Sequence, residues 1–270
     1  MSISISGGSN TSQISRSQAA AAENLKRLAS GKRINSAADD AAGIAVAAML
    51  GADERSDAMA TRNAMDGISM LQIADGGLSQ QSDGVARLRE LAMQSANGTL
   101  SQSDRDAIAG EANGIMAEID RTAGSTEWNG RNLLSATNSA TFQVGTEAGS
   151  DNQVNATINE STTSALGLGG LNLSTASGAT TSMDAIDSAL QDLSANRAGI
   201  GSTMNRLQSA YDTARTAFEN AAASRGTIED ADVASEAADL AGNQVATQAG
   251  IAVLAQRRQM SSATALRLLG

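Results

Sequence analysis

Residues 183–222 decide the fold, and they read MDAIDSALQDLSANRAGIGSTMNRLQSAYDTARTAFENAA. Apolar side chains recur at alternating steps of three and four residues, a heptad pattern interrupted by one charged member, Arg197. An amphipathic helix in a globular bundle would show the same stripe, but the length of this one favours a coiled-coil rod that needs a partner helix. The predicted seam comprises Ile186, Leu190, Leu193, Ile200, Met204, Leu207, Tyr211 and Phe218.

A partner helix is predicted between residues 43 and 95. Apolar residues recur there every seven positions, at Ala64, Leu71, Leu78, Val85 and Ala92. Glycines at four positions, Gly67, Gly76, Gly77 and Gly84, lower its helix propensity. The two long helices are therefore expected to pack against each other within one chain.

Three shorter helices and one β element complete the prediction. Helical periodicity covers residues 14–28, 104–121 and 233–269, whereas 127–173 is rich in Gly, Asn, Ser and Thr. Alternating residues at 142–144 and 154–158 predict a β-hairpin within that stretch. Four capping boxes, at 36–39, 103–106, 181–184 and 227–230, predict helix starts. The predicted fold class is mainly α, a long antiparallel coiled-coil rod with paired terminal helices and a small hairpin.

Composition excludes several functions. The 270 residues contain no Cys, His or Pro, which removes disulfides, thiolate and histidine catalysis and the usual zinc sites and leaves the helices unbroken. The net charge of −10 argues against nucleic-acid binding. Residues 42–223 carry almost all the excess acid, with 21 of the 29 acidic residues. No apolar run is long enough for membrane insertion, and the N-terminus has no secretory signal pattern, so export by another route is expected.

Specific strings at both ends of the chain resemble bacterial flagellin. Residues 24–46, NLKRLASGKRINSAADDAAGIAV, and 87–101, RLRELAMQSANGTLS, are similar to its N-terminal blocks. Residues 224–232, SRGTIEDAD, 248–256, QAGIAVLAQ, and 266–270, LRLLG, are similar to its C-terminal block, in the same order. Only a short loop separates the hairpin from the long helix at Thr181. The resemblance is therefore to a core-only form without the central outer domains.

The resemblance implies a structural role in an extracellular filament and no enzymatic activity. Segments 1–41 and 224–270 would line the inner tube and order on polymerisation, while 42–178 and 179–223 would form the coiled-coil layer. Partners would be further copies of the chain, the export chaperone, the type III export apparatus, and the hook-filament junction and cap proteins. The residues expected to serve self-assembly are Leu25, Leu28, Ile34, Asn35, Asp39, Asp40, Gly43, Ile251, Leu254, Leu266 and Leu269.

A receptor patch is a further expectation from the resemblance. Arg87, Leu88, Leu91 and Glu111 match positions that form the contact patch in flagellins detected by Toll-like receptor 5. Burial of the same face between filament subunits would explain these residues equally well.

Clusters of acidic residues are the remaining candidates for a catalytic or metal site, and a structural role explains them better. The acidic residues at 39–40 and 229–232 are expected to offset helix dipoles at helix starts, not to bind a metal, and no cofactor is expected. Two alternatives to the filament subunit stay open at this point, a hook-filament junction protein and a secreted helical binding module. Filament formation would separate all three.

Overall fold

The computed structural model describes residues 5–269, with side chains for 10–260 and for Ser262. This part of the chain is mainly helical, with two small antiparallel sheets, which confirms the predicted fold class. The helices are α1 (Ile5–Ser30), α2 (Ala41–Ser95), α3 (Gln102–Ser125), α4 (Ala176–Glu229) and α5 (Val233–Leu269), and the strands are β1 (Glu127–Trp128), β2 (Arg131–Asn132), β3 (Asn138–Gln143) and β4 (Gln153–Ile158).

The chain divides into two compact units. The central unit is Asp53–Glu219, and the terminal unit comprises the residues up to Ala52 and from Asn220 onward. Most of α2 and α4, together with α3 and all four strands, belongs to the central unit. The terminal unit holds α1, α5, the beginning of α2 and the end of α4.

Within the central unit, α2 and α4 pack antiparallel. The Asp75 carboxylate accepts from Arg197 at 2.8 Å, and Arg89, further along α2, meets Asp187, earlier in α4, at 2.6 Å. The predicted heptad of α2 faces the core, since Ala64, Leu71, Leu78, Val85 and Ala92 are all fully buried, and Leu88 is buried beside them. The partner predicted for the long helix is therefore α2.

The buried face of α4 follows the predicted heptad at every second position. Ile186, Leu193, Ile200 and Leu207 are fully buried. Between these positions the buried residues lie one position earlier than predicted, so Leu190 and Met204 are half-buried. Beyond Leu207, Tyr211 is half-buried and Phe218 is 39% exposed. The buried residues at the earlier positions are small or polar, namely Ser182, Ala189, Asn196 and Thr203.

Two of these residues, Ser182 and Asn196, bond to an irregular segment, residues 159–173, which we call the strap. Asn196 accepts from the Asn159 backbone N–H and donates to its carbonyl at 3.0 Å, and Ser182 accepts from the N–H of Asn172 at 3.0 Å. On α2, the Gln81 amide donates to the carbonyl of Ser161, and the Ser95 hydroxyl to that of Leu173. Because backbone groups removed from water need partners, polar residues replace large apolar ones where the strap crosses the helices.

The two sheets are hairpins. Strands β3 and β4 pair from Asn138↔Ile158 to Gln143↔Gln153, and the predicted alternation buries Val154, Ala156 and Ile158 of β4. This hairpin was predicted. The smaller pair β1–β2 was not, although its turn, Asn129–Gly130 with φ of 50° and 74°, is the Asn-Gly signal of a type I′ hairpin.

Helix starts were the least accurate part of the prediction. The capping box of α3 is Ser101–Asp104, two residues before the predicted one. Both motifs fit the same pattern, and the carboxylate of Asp104 accepts from the Ser101 hydroxyl and then from its N–H, which lowers the pKa of Asp104. The boxes at 181–184 and 227–230 were wrong, since both begin inside α4, where the hydroxyls of Thr181 and Thr227 donate to carbonyls one turn earlier.

Candidate self-assembly surface

Two connectors lie side by side in the terminal unit. Gly31, with φ of 68°, ends α1, and its carbonyl accepts from the N–H of Ala231 at 3.0 Å, between α4 and α5. The N–H of Arg33 donates to the Glu229 carbonyl, so the connectors pair over a short two-stranded bridge at Lys32. Backbone pairing thus holds the exit of α1 against the entry of α5.

Charged side chains add to this pairing. Lys32 lies 2.8 Å from the carboxylate of Glu229, Arg27 lies 3.2 Å from that of Glu236, and the Arg33 guanidinium donates to the carbonyl of Ile228 at 2.8 Å. Partly exposed ion pairs of this kind contribute about 1 kcal/mol or less each. These ion pairs therefore help to determine which segments pair, and they contribute only a small part of the stability.

A carboxylate organises the turn that follows. Asp39 accepts from the backbone N–H groups of Asn35 and Ser36 and from the Ser36 hydroxyl, at 2.8–3.1 Å. The bond from the Asn35 N–H, followed by that from the Ser36 hydroxyl, lowers the pKa of Asp39. The predicted box at 36–39 is therefore a turn that precedes the helix rather than its cap.

Asp40 is the residue that caps α2. Its carboxylate accepts from the N–H of Gly43 at 2.8 Å, at the helix N-terminus. Gly43 allows a close approach, because a β-carbon there would lie 2.4 Å from Asp40 Oδ2 and 2.7 Å from Ile34 Cδ1. Ile34 is only 4% exposed, so this turn encloses one of the few buried apolar side chains of the terminal unit.

Close packing also fixes α1 against α5. A β-carbon at Gly250 would lie 2.7 Å from Ile14 Cγ1, so the two helices touch through the glycine. The other predicted assembly residues spread over both faces of these helices. Leu28 and Leu254 are half-buried, whereas Leu25 is 59% and Ile251 52% exposed. The side chains of Leu266 and Leu269 lie outside the described residues.

Exposed apolar side chains are concentrated in this unit. In the described part of the chain, the large exposed apolar residues of the terminal unit are Leu25, Val46, Met49, Val233, Val245, Ile251, Val253 and Met260. Their number in so small a unit is typical of surfaces that other protein covers. Six of these exposed residues were missing from the predicted set, because exposure depends on which face each helix turns to its neighbour. They are Val46, Met49, Val233, Val245, Val253 and Met260.

The predicted receptor patch does not form as a single surface. Leu88 and Leu91 are fully buried, because both point from α2 into the core of the central unit. Arg87 and Glu111 remain on the surface, where the guanidinium lies 2.8 Å from the Glu111 carboxylate and 2.7 Å from that of Glu90. Hydrogen bonds from these two partners, Glu90 first, raise the pKa of Arg87.

An apolar groove of about 490 Å³ lies beside Arg87 and Glu111, between α2 and α3. Gly84, Ile115 and Ile119 form its floor. A β-carbon at Gly84 would meet both isoleucines at 3.4–3.6 Å, ordinary contact distances, so its absence deepens the groove without being sterically required. The exposed part of the patch is thus a charged rim on an apolar depression.

Comparison with known proteins fits both halves of this architecture. Residues 3–139 match the model of the bacterial flagellin N-terminal helical region, and residues 183–269 match that of the C-terminal helical region. The chain belongs to the bacterial flagellin family.

Individual flagellins and filament proteins are similar to this chain over different shares of their length. The chain is 36% identical over 249 residues to a flagellar filament 30.7 kDa core protein of Treponema maltophilum, which covers 86% of this chain and 87% of that one. A flagellin of Salmonella muenchen is 43% identical over 160 residues, 59% of this chain but 31% of its own length. The crystal structure of Bacillus cereus flagellin matches with a TM-score of 0.50 and 31% identity, over 57% of this chain and 88% of that one. These lengths are consistent with a short, core-only flagellin.

The acidic residues take structural roles that suit a flagellin. Asp232 accepts from the N–H groups of Ala234 and Ser235 and so caps α5, while Glu229 pairs with Lys32. Among the described residues, no three acidic side chains are grouped so that they could hold a metal ion. No helix within residues 5–269 combines the length and apolarity needed to cross a membrane.

Proposed function

We infer that this chain is a structural subunit that self-assembles into the extracellular flagellar filament. The observation that carries this inference is the surface of the terminal unit, where apolar side chains of α1, α2 and α5 face outward. A contact between unlike surfaces of identical chains, repeated without closing, generates a helical filament. Covering these side chains with further copies removes their apolar area from water, which drives association.

The predicted functional division of the chain is part of this proposal. Segments 1–41 and 224–270 order as inner-tube helices when subunits join, and 42–178 and 179–223 form the surrounding layer. The bond between Gly31 and Ala231 supports the pairing of the two terminal segments, because it holds the exit of α1 against the entry of α5. The continuous apolar core of α2 and α4 supports the second.

Seeded polymerisation tests the proposal. Purified chain is mixed with short filament fragments in a strongly excluded salt and examined by electron microscopy. Long filaments are expected to grow from the seeds, and removal of residues 1–41 or of 224–270 is expected to stop growth. Discrete particles that never elongate would overturn the proposal in favour of a junction protein or a binding module.

Partners beyond the chain itself follow from the same surfaces. Before assembly, the exposed apolar residues of α5 need a cover, and a flagellar export chaperone that binds there would supply it. Passage through the type III export apparatus, and contact with the hook-filament junction and cap proteins at the two filament ends, complete the proposed set. The exposure of Val245, Ile251 and Val253 supports the chaperone contact. Loss of chaperone binding when α5 is removed, with retention when α1 is removed, tests it.

We also propose that the free subunit binds Toll-like receptor 5 through Arg87 and Glu111. Their exposure beside the apolar groove supports a contact in which charged rim groups orient an apolar insertion. Arg89→Ala is a matched control, since Arg89 is equally exposed but pairs with Asp187 on α4. Binding by the monomer that falls at least tenfold in Arg87→Ala and not in Arg89→Ala is expected. Equal affinity of both variants would remove this proposal without affecting self-assembly.

A further inference from the structure

Methionine thioethers are the oxidisable sulfur atoms of this chain. The sequence has ten Met and no Cys. Among the described side chains of the terminal unit, Met49 and Met260 are 70% and 63% exposed, while Met70 in the central unit is 7% exposed. Oxidation of Met follows exposure, so an oxidant reaches the first two long before the third.

Both methionines stand on exposed apolar stripes. Met49 lies three residues after Val46 on α2, and Met260 lies seven residues after Val253 on α5, so each pair shares one helix face. All four side chains are exposed, and they belong to the unit whose apolar surface other copies are proposed to cover. A polar group introduced at either sulfur would therefore appear on the surface that has to lose its water.

We propose that Met49 and Met260 are reversible oxidation sites whose oxidation blocks filament assembly. This inference rests on the assembly role proposed above for the terminal unit. A peroxide is the oxidant. The sulfur lone pair attacks one peroxide oxygen, the O–O bond breaks, and the second oxygen leaves as water or alcohol after taking up a proton. The thioether becomes a sulfoxide by losing two electrons, and the peroxide gains them.

The physical effect is a change of polarity at constant backbone structure. A sulfoxide oxygen is a strong hydrogen-bond acceptor, and burying it without a donor costs free energy that the thioether does not cost. In the free chain the oxygen points into water, where it costs nothing. Oxidation is therefore expected to weaken subunit joining while the folded central unit stays intact.

The first experiment compares oxidation in two states of the full chain. Monomer and filament are exposed to the same dilute hydrogen peroxide, and sulfoxide at each Met is quantified by peptide mass spectrometry. Met49 and Met260 are expected to oxidise at least fivefold more slowly in the filament than in the monomer. Equal rates in both states would overturn the proposal, because the sulfur atoms would not lie at a covered surface.

The second experiment measures growth. Monomer is oxidised at a dose that leaves Met70 unmodified, which shows that the core has not opened, and is then added to seeds. Elongation is expected to slow at least tenfold and to recover after treatment with the two reductases that act on the two sulfoxide epimers. Elongation at the rate of untreated monomer would overturn the proposal.

Variants assign the effect to these two positions. The double variant Met49→Leu/Met260→Leu keeps the apolar stripes and is expected to elongate after peroxide at the same rate as the same variant before peroxide. Met59→Leu/Met65→Leu is the matched control, since these central-unit residues are 48% and 46% exposed. Elongation of this control variant is expected to slow after peroxide. If the control were unaffected and Met49→Leu/Met260→Leu slowed, the assignment to Met49 and Met260 would be overturned. Failure of untreated wild-type chain to elongate would instead refute the proposed filament function.

Discussion

The two units of the chain differ in where their apolar side chains lie. In the described part of the chain, the largest fully buried side chains all belong to the central unit, from Leu71 to Leu207. The terminal unit buries Ile34 and Ala47 among its apolar residues and exposes eight large ones. One unit carries its own core, and the other carries a surface that needs protein from elsewhere.

This difference accounts for how one sequence can be both stable and ready to assemble. Ordering a residue costs about 1–2 kcal/mol of backbone entropy, which only buried apolar surface can offset on a large scale. The central unit buries enough within a single chain. The terminal helices gain that burial when copies join, so the free energy that orders them also drives polymerisation.

Hydrogen exchange should show the largest contrast between the units. In the free chain, amides of α1 and α5 are expected to exchange at least about 1000-fold faster than those of α2 between residues 78 and 92, because local opening exposes little apolar surface in the terminal helices. In filaments the ratio should fall below about tenfold. Similar protection of both regions in the free chain would break the comparison, since the terminal unit would then be stable alone.

Leucine truncations in the two units should have opposite consequences. Leu193→Ala removes a fully buried side chain of α4 and is expected to lower the free energy of unfolding by about 2–5 kcal/mol. Leu25→Ala, at a side chain that is 59% exposed, is expected to change it by less than about 0.5 kcal/mol. Urea denaturation followed by circular dichroism measures both.

The rate at which the same two variants elongate filaments completes the comparison of the two units. Leu25→Ala is expected to elongate from seeds at least tenfold more slowly than wild type, although its free subunit is folded. Leu193→Ala is expected to elongate normally at temperatures where it remains folded. If Leu25→Ala grew at the wild-type rate, this residue would not belong to the assembly surface.

Local patterns predicted the elements of the central unit because its core is periodic. The seven-residue repeat through Leu71 and Leu78 and the alternation through Val154 were sufficient to identify α2 and β4. The register of α4 was predicted only in part, because Asn196 and Ser182 are buried by hydrogen bonds to the strap. Such bonds join residues far apart in sequence, and no local spacing indicates them.

The self-assembly surface was less predictable, because it too depends on contacts between residues far apart in sequence. Family strings located the turn at Asp39 and Asp40, but the pairing of Lys32 with Glu229 joins residues almost 200 positions apart. The resemblance placed Leu88 and Leu91 in a surface patch, because a match of sequence positions does not show which way a side chain points. The α2 heptad has Leu88 three residues after Val85, an alternating core spacing that already indicated its burial and so conflicted with the receptor assignment.

Adjacent glycines in α2 allow a sharper test of packing in the central unit. A β-carbon at Gly77 would lie 2.6 Å from Thr126 Oγ1 and 2.8 Å from Leu134 Cδ1, whereas one at Gly76 meets nothing within 4 Å. Gly77→Ala is expected to destabilise the chain by about 1–3 kcal/mol through overpacking. Gly76→Ala is expected to stabilise it by about 0.5–1 kcal/mol, since alanine restricts the unfolded chain and favours helix. Thermal unfolding that gave the two variants the same sign would mean that α2 and the β1–β2 region are not closely packed.

The smallest expected effect concerns two aspartates, one in each unit, whose pKa values shift in opposite directions. Hydrogen bonds from Asn35 and Ser36 lower the pKa of Asp39, whereas burial, helped by the charge of Asp53, raises that of Asp57. Between its folded pKa and the ordinary value of 3.8, Asp39 binds fewer protons when folded, so its contribution to stability is lost as pH falls through that window. Asp57 binds more protons when folded, so stability falls as pH rises above 3.8 through its raised pKa.

Asparagine substitutions separate these two contributions. Asp57→Asn is expected to raise the melting temperature of the chain at pH 7 and to have less effect at pH 3, where the native carboxyl is already protonated. Asp39→Asn is expected to weaken the connector turn at pH 7, seen as faster exchange of the Asn35 and Ser36 amides, with little change in the melting of the central unit. A lower melting temperature of Asp57→Asn at pH 7 would show that the carboxylate stabilises the α2 core. The ionised form of Asp57 would then stabilise the fold, as that of Asp39 does, and the expected difference between the two aspartates would be wrong.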